Sequence, residues 1–309
     1  APGKNQAKDR TMSPADDKDT PLDSPLDPRV HPFRDDIAAD FLEGRVEARS
    51  FVPGRECRAG SAFVPVMAQP HVGALQATEL LFGEPFTVFE DTGGWCWGQC
   101  GHDGYVGYAP ATGIFNNLPE PSHWVTAGRS LVYPDAKGEY PPSMSLSLGA
   151  RVAVETTRGD YAKLATGGWM FGKHLAGLGE TLPDFIATAS MFSRVPYLWG
   201  GRGGQGIDCS GLVQVALAAA GIETPRDSDQ QADSIGLDVP VPGDPKDLEA
   251  GDIVFFPGHV GFYLGAGALL HATSHDMMVA THSLVDVLER VNERHGKGMT
   301  RVRRVETEN

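Results

Sequence analysis

Cysteine and histidine are the side chains best suited to nucleophilic acyl chemistry near neutral pH, and this chain sets both in favourable surroundings. Cys209 follows a run of glycines and Asp208 in YLWGGRGGQGIDCSGLVQVALAAAG. Residues 212–220 are apolar apart from Gln214, so the spacing predicts a buried helix that starts near Cys209 and ends at Gly221. A thiol in that first turn faces the positive end of the helix dipole and several unpaired N–H groups, which lower its pKa and favour the thiolate. The same N–H groups can hold an oxyanion. The glycines are expected to let a substrate backbone approach closely. A free cysteine taken alone is more often an inert buried thiol, so the reading depends on a partner.

Two histidines downstream supply one. In GHVGFYLGAGALLHATS, Val260, Phe262 and Leu264 alternate with His259, Gly261 and Tyr263, the pattern of a strand with one apolar face. Gly265, Ala266 and Gly267 read as a turn, and ALLHATS returns as the partner strand. Reflecting this hairpin about residues 265 and 266 sets His259 beside or diagonal to His271 on the same face. One imidazole can then take the proton from Cys209 while the other fixes its tautomer. His259, next to Pro257 and Gly258, is assigned as the base and His271 as the orienter. The competing readings are a hydrogen-bonded core histidine and a Cys-His-His zinc site. The helix start and the glycine lead-in suit a nucleophile better than a metal ligand.

The elements that position these residues follow from the texture of the chain. The 309 residues are 41% hydrophobic and contain no apolar run long enough to span a bilayer, which fits two or three globular domains. Forty acidic residues against 26 basic ones give a formal charge of −14, which argues against nucleic acid or an anionic membrane as partner. Thirty-eight glycines and 23 prolines predict many turns between short strands. Four cysteines are too few for a disulfide scaffold, and only Cys96 and Cys100 are close in sequence, as a disulfide, a metal half-site or two buried strand thiols. Ala1 to Arg10 lack the apolar core of a signal peptide, so the cytoplasm is expected, with the periplasm or secretion as the alternative if a leader was removed.

Residues 1 to about 30, rich in Pro, Asp, Ser and Lys, read as a tail. DDIAADFLEGRVE, residues 35–47, places Ile37, Phe41 and Leu42 near helical spacing and predicts a short amphipathic helix. Short apolar stretches from about 60 to 115, and again from about 122 to 178, predict two small strand-built units. Trp95 and Tyr161 hold similar places after glycine-containing turns, a weak internal repeat. Trp95, Trp97 and Trp169 could line a groove, although aromatics of small barrels are more often core. From about 182 onward, PDFIATASMFSRV reads as a helix, the Cys209 segment as another, and DIVFF, HVGFYLG and ALLHATS as strands, an α+β order.

PYLWGG at 196–201, DCSGL at 208–212, RDSDQQ at 226–231, GDIVFF at 251–256, GHVGFYLG at 258–265 and LLHATS at 269–274 resemble, in order and spacing, the NlpC/p60-type papain-like cysteine peptidases. The resemblance covers residues 180–309. It implies a Cys-His-His triad at Cys209, His259 and His271, an oxyanion tyrosine at Tyr197, and substrate contacts at Asp208, Ser210, Asp227 and Ser228. Residues 59–118 and 119–179 are similar to bacterial SH3-like domains found ahead of such peptidases. ATELLFGE and DGYVGY resemble the segments that hold a free amine, which implies Glu79 and Tyr105. The fold so implied is two small all-β SH3-like barrels followed by an α+β papain-like domain, preceded by a tail and short helix over 1–58. The implied activity is hydrolysis of the γ-D-glutamyl to L-diamino acid bond of peptidoglycan stem peptides or free muropeptides, with no cofactor. A wall-binding protein with a dead catalytic domain, and a papain-like amidase or acyltransferase, are the alternatives; the first is disfavoured because the Cys and both His are present.

Overall fold

The computed structural model describes residues 25–306, so most of the expected N-terminal tail lies outside the described residues. The chain forms two compact units. The first comprises the described residues up to Trp124 with Val132–Met144 and Ala150–Glu180, and the second comprises Val125–Leu131, Ser145–Gly149 and the residues from Thr181 onward.

In the first unit, residues 55–115 build a seven-stranded sheet in the order 76–81, 63–67, 106–110, 95–100, 85–92, 55–59, 114–115. Every pairing is antiparallel. Strands 85–92 and 95–100 meet through Gly93 and Gly94, both with positive φ, because a two-residue hairpin turn needs that backbone region to match the strand twist. Alternate side chains, among them Val64, Val66, Leu80, Phe86, Val88 and Ala109, fill one core.

The helix expected over 35–47 does not form. Ala38–Ala39 pairs in parallel with Phe51–Val52, and only a 3-10 turn, Asp40–Leu42, follows. Tertiary packing overrides the weak local propensity. Ile37, Ala39 and Leu42 are drawn in turn against Phe89 and Trp97 of the sheet, which an extended segment allows and a helix would not. Arg34 ties the segment down, bonding Glu90 at 2.9 Å and Tyr108 at 3.1 Å with its guanidinium 4.5 Å from the centre of Trp97.

Residues 123–177 add smaller pieces. These are a three-stranded sheet of 151–152, 123–125 and 175–177, a pair of 129–132 and 144–147, and a three-stranded sheet of 154–158, 161–164 and 169–171. Tyr161 opens its strand just after Gly159, as Trp95 does after Gly94.

The second unit is α+β. Its six-stranded antiparallel sheet runs in the order 237–239, 301–304, 253–256, 259–265, 268–273, 278–283. Four helices accompany it: α1 (Phe185–Ser190), α2 (Cys209–Ala219), α3 (Ser228–Ser234) and α4 (Leu284–His295). Helix α2 is buried almost all round, as its composition requires, and packs on α1 and on the His259–Gly265 strand. Beyond the first turn its one polar side chain, Gln214, accepts from Arg202 Nε at 2.6 Å and donates to the Thr224 carbonyl at 3.1 Å. The helix stops where Gly221, with φ of 82°, takes the left-handed position that follows a helix end.

Glycines on both sides of Cys209 allow close approach of the chain to itself. A Cβ on Gly201 would stand 2.5 Å from the Gly206 carbonyl oxygen, and one on Gly211 would stand 2.4 Å from the Gly201 oxygen. They let the chain pack on its own backbone at the start of α2. Nearby, the Gly204 N–H donates to Ser147 Oγ at 2.9 Å and Arg129 donates to the Gly204 carbonyl, which is how two short stretches of the 119–179 segment join this unit.

Leu217 on α2 is fully buried. Replacing it with alanine should destabilise the second unit by about 2–4 kcal/mol through lost burial and an unfilled cavity. Urea unfolding followed by hydrogen exchange of the α2 amides measures this.

Candidate active site

Helix α2 begins at Cys209 because Asp208 caps it. Asp208 is extended, with φ of −96° and ψ of −179°, and its Oδ1 accepts from the Gly211 N–H at 2.7 Å. Its Oδ2 accepts from the Gly200 N–H at 2.8 Å. The buried Arg226 then grips the same carboxylate from the other side, at 2.7 and 3.0 Å, and also donates to Ser210 Oγ at 2.9 Å. Asp208 and Ser210, both expected to hold substrate, are thus committed to a buried network that fixes the first turn of α2. Arg226 ties this network together and sequence reasoning passed over it; it opens the RDSDQQ segment, but its partners Asp208 and Ser210 lie on another segment, so nothing within its own motif marked it.

Cys209 is 8% exposed, and its sulfur accepts backbone hydrogen bonds from Val260 and Ser210. The Val260 contact sets the thiol against the strand that begins at His259. Tyr197 lies near enough to Cys209 and Asp208 to feel both charges. Burial first, and those charges second, push its phenol well above the ordinary tyrosine range, so it is a hydrogen-bond donor. Asp227 precedes α3 and Ser228 begins it, both half-buried.

The two histidines meet as the hairpin pattern required. Phe262 stands opposite Leu270, so His271 lies across from Gly261 and diagonal to His259 on one face. A Cβ at 261 would come within 2.9 Å of the His271 Cβ, which explains the glycine in the middle of an otherwise regular strand. His259 Nε2 is 2.7 Å from His271 Nδ1. The His259 ring is stacked near Phe256, 5.9 Å between centres, and meets the His271 ring at 4.9 Å and 62°. Beyond the expected pair, His271 Nε2 is 2.9 Å from His282 Nδ1, and His282 Nε2 is 2.7 Å from Asp276 Oδ2. Neither His282 nor Asp276 was foreseen. Their signal was the even spacing of His282 on a third strand, visible only once the 268–273 and 278–283 register is known.

The electrostatics of the site differ from the expected helix-lowered thiol. Burial, reinforced by the Asp208 charge, pushes the Cys209 thiol up to about 12, against which the Val260 and Ser210 N–H groups work only partly. Burial pushes His259 down to about 4. Burial, aided by His259, His282, Arg290 and His275, pushes His271 down to about 2. Each group resists charging alone, so a neutral thiol beside neutral imidazoles is the resting form. A thiolate arises by moving its proton to an imidazole within the site, where the two opposite charges stabilise each other.

Glu79 and Tyr105 belong to the first unit. Glu79 is 5% exposed on the Gln76–Leu81 strand, so it is not the solvated surface acid that an unassigned glutamate usually is. Tyr105 packs in the core of the seven-stranded sheet, its N–H donating to Asp103 Oδ1 at 3.0 Å. Cys96 and Cys100 are buried in the same core, as is Cys57. The ligand atoms of Cys100, His102 and Asp103 come within 4.8 Å of one another. His102 Nε2 is 2.9 Å from the Asp103 carboxylate.

A thiol at a capped helix start, with an imidazole pair on the adjoining strand of an antiparallel sheet, defines the class of papain-like thiol hydrolases. Residues 194–294, which include Cys209, His259 and His271, match the NlpC/P60 family, and residues 66–114 match the bacterial dipeptidyl-peptidase Sh3 domain. The gamma-D-glutamyl-L-lysine dipeptidyl-peptidase of Bacillus subtilis (strain 168) is 36% identical over 129 residues, 36% of this chain but only 41% of that protein's length. Peptidoglycan endopeptidase RipB of Mycobacterium tuberculosis (strain ATCC 25618 / H37Rv) is 31% identical over 191 residues, 50% of this chain and 76% of that protein. A crystal structure of an NlpC/P60 family protein from Bacillus cereus ATCC 10987 shares the fold, with a TM-score of 0.67 over 81% of this chain and 99% of that one at 20% identity. This chain belongs to the NlpC/P60 family of cysteine peptidases, with an SH3 domain ahead of the NlpC/P60 domain.

The depressed histidines carry a stability consequence. Ordinary imidazoles titrate near 6.5, so as pH falls below that value the unfolded chain takes up protons at 259 and 271 that the folded chain refuses until about 4 and about 2. Stability therefore falls with falling pH, at about 1.4 kcal/mol per pH unit for each imidazole. Between pH 6.5 and 5 the loss should reach about 3 kcal/mol. Urea midpoints at the two pH values measure it, and His259→Gln with His271→Gln should flatten the difference.

Proposed function

We propose that this protein hydrolyses the γ-D-glutamyl to L-diamino acid bond of peptidoglycan stem peptides, with Cys209 as nucleophile, His259 as base and His271 as its orienter. The observation that carries the reading is the 2.7 Å contact between His259 and His271 on the strand whose Val260 N–H binds the Cys209 sulfur. His259 takes the thiol proton as sulfur attacks the γ-carbonyl, forming a tetrahedral oxyanion. The N–H groups of the first α2 turn and the Tyr197 hydroxyl donate to that oxygen. The C–N bond then breaks as protonated His259 hands its proton to the leaving amine, and a thioester remains. Water, deprotonated by His259, attacks the thioester and returns the free thiol. Asp208, Ser210, Asp227 and Ser228 are assigned to hold the substrate, the first two within the network with Arg226 that keeps the nucleophile's turn rigid.

Two relatives support the substrate class. One is named for a gamma-D-glutamyl-L-lysine bond and the other as a peptidoglycan endopeptidase. For the amino-terminal part, residues 59–118 and 119–179 are read as successive SH3-like barrels. Glu79 and Tyr105 are assigned to the ammonium of a free N-terminal L-Ala, a cation that a buried carboxylate and a phenol oxygen suit. An intact wall, where that alanine is amidated to muramic acid, offers no such cation, so free muropeptides are the favoured substrate.

Mass spectrometry of defined muropeptides, with and without muramic acid, tests both halves. Cys209→Ala should lower hydrolysis of L-Ala-γ-D-Glu-diamino acid peptides by at least about 1,000-fold. Glu79→Ala should lower kcat/KM on the free-amine peptide by about 30-fold, the loss of one charge-assisted contact of about 2 kcal/mol, and leave the muramyl peptide unchanged. Equal cleavage of both substrates by the wild type would remove the amine assignment and leave the chemistry standing.

A further inference from the structure

His271 spends both ring nitrogens on other imidazoles, and the row ends on a carboxylate. His259, His271 and His282 sit on three adjacent strands, with Nε2 to Nδ1 contacts of 2.7 and 2.9 Å, and His282 Nε2 closes on Asp276 Oδ2 at 2.7 Å. The rings meet edge to face, at 62° and 89°. A neutral imidazole carries one N–H and one lone pair, and a carboxylate only accepts. The carboxylate therefore fixes the direction of every bond in the row. Asp276 accepts from His282 Nε2–H, which leaves His282 Nδ1 to accept from His271 Nε2–H. His271 Nδ1 then accepts from His259 Nε2–H, and the lone pair of His259 is left on Nδ1.

We propose that His282 and Asp276 are positioning residues that hold His259 in the tautomer able to take the Cys209 proton. The inference rests on the roles given to Cys209 and His259 above and deepens them. Without the terminal acceptor nothing prevents the row from running the other way. In that direction His271 donates from Nδ1 to His259 Nε2, the His259 proton moves to Nδ1, and the base is lost. When His259 becomes an imidazolium, the fixed direction lets its Nε2–H meet a lone pair rather than another N–H. The other titratable or charged groups around the row are Cys209 on α2, Arg290 on α4, and His275, whose Nε2 lies 3.9 Å from Asp276 Oδ1. His275 and Arg290 stand by the row but interrupt none of its three contacts.

Asp276→Asn is the informative change, because its amide can donate to His282 and drive the reversal, while Asp276→Glu keeps an acceptor. Both side chains at this end are partly exposed, 24% for His282 and 33% for Asp276, so the sheet should tolerate substitution. Asp276→Asn and His282→Ala should each lower kcat about tenfold, the usual scale for such outer partners, with KM unchanged within twofold and Asp276→Glu largely restored. Alkylation of Cys209 by iodoacetamide at pH 6.5 should slow about tenfold in Asp276→Asn and recover at alkaline pH. Nitrogen NMR of histidine-labelled protein should find His271 protonated at Nε2 in the wild type and at Nδ1 in Asp276→Asn. An unchanged His271 tautomer with a superimposable alkylation profile would overturn the inference. The ring tautomers are read without substrate, so a failure of the proposed hydrolysis, seen as activity retained in Cys209→Ala, is a separate result.

Discussion

The second unit is organised by one buried carboxylate. Asp208 satisfies the Gly211 N–H at the start of α2, the Gly200 N–H of the preceding loop and both arms of Arg226. A carboxylate and a guanidinium taken out of water are costly unless every remaining donor and acceptor is met, and here the network supplies that. The consequence is positional more than energetic. The cap fixes which residue is first in the helix, and hence that Cys209 rather than a neighbour points its sulfur at the strand beginning with His259. Loss of Arg226 would strand the carboxylate and free the helix start, so the arginine matters to chemistry it never touches.

Burial sets the second condition. A thiol and two imidazoles in a water-poor site cannot each exchange protons with solvent at neutral pH, since each charged form alone is penalised. Transfer between them is less penalised, because the two charges arise together and a short distance apart. The helix dipole and the Val260 N–H then favour the sulfur side of that transfer without having to produce a free thiolate at rest. The expectation of a lowered thiol pKa from the helix start alone left out desolvation, which is the larger effect for a residue 8% exposed.

Much of this arrangement was legible in the chain. The apolar run after Cys209 marked α2 and its end, and the alternation in HVGFYLG marked the strand and its face. The turn then placed His271 diagonal to His259. These are local patterns with fixed periods. The misread parts depend on distant partners. Ile37 and Leu42 have helical spacing, yet the segment is extended because Phe89 and Trp97 offer it a surface. Gly201 packs on the Gly206 carbonyl and Gly211 on the Gly201 carbonyl, contacts between segments that spacing along the chain does not show. Arg226, His282 and Asp276 gain meaning only from who faces them, which no spacing within their own segments reveals.

The histidine row shows how strand register extends a site beyond what spacing along one hairpin can show. Residue 271 pairs with Ala280, so His282 is two positions along and on the same face, just as His259 is two positions from the residue facing His271. Each imidazole is therefore offset diagonally from the next, a distance that ring-to-ring hydrogen bonds span and directly opposed side chains would overfill. The turn joining the last two strands delivers Asp276 to the end of the row. A one-residue slip of either pairing would put its histidine on the opposite face. Strand register, set by the apolar residues between the histidines, thus determines the proton arrangement at the base.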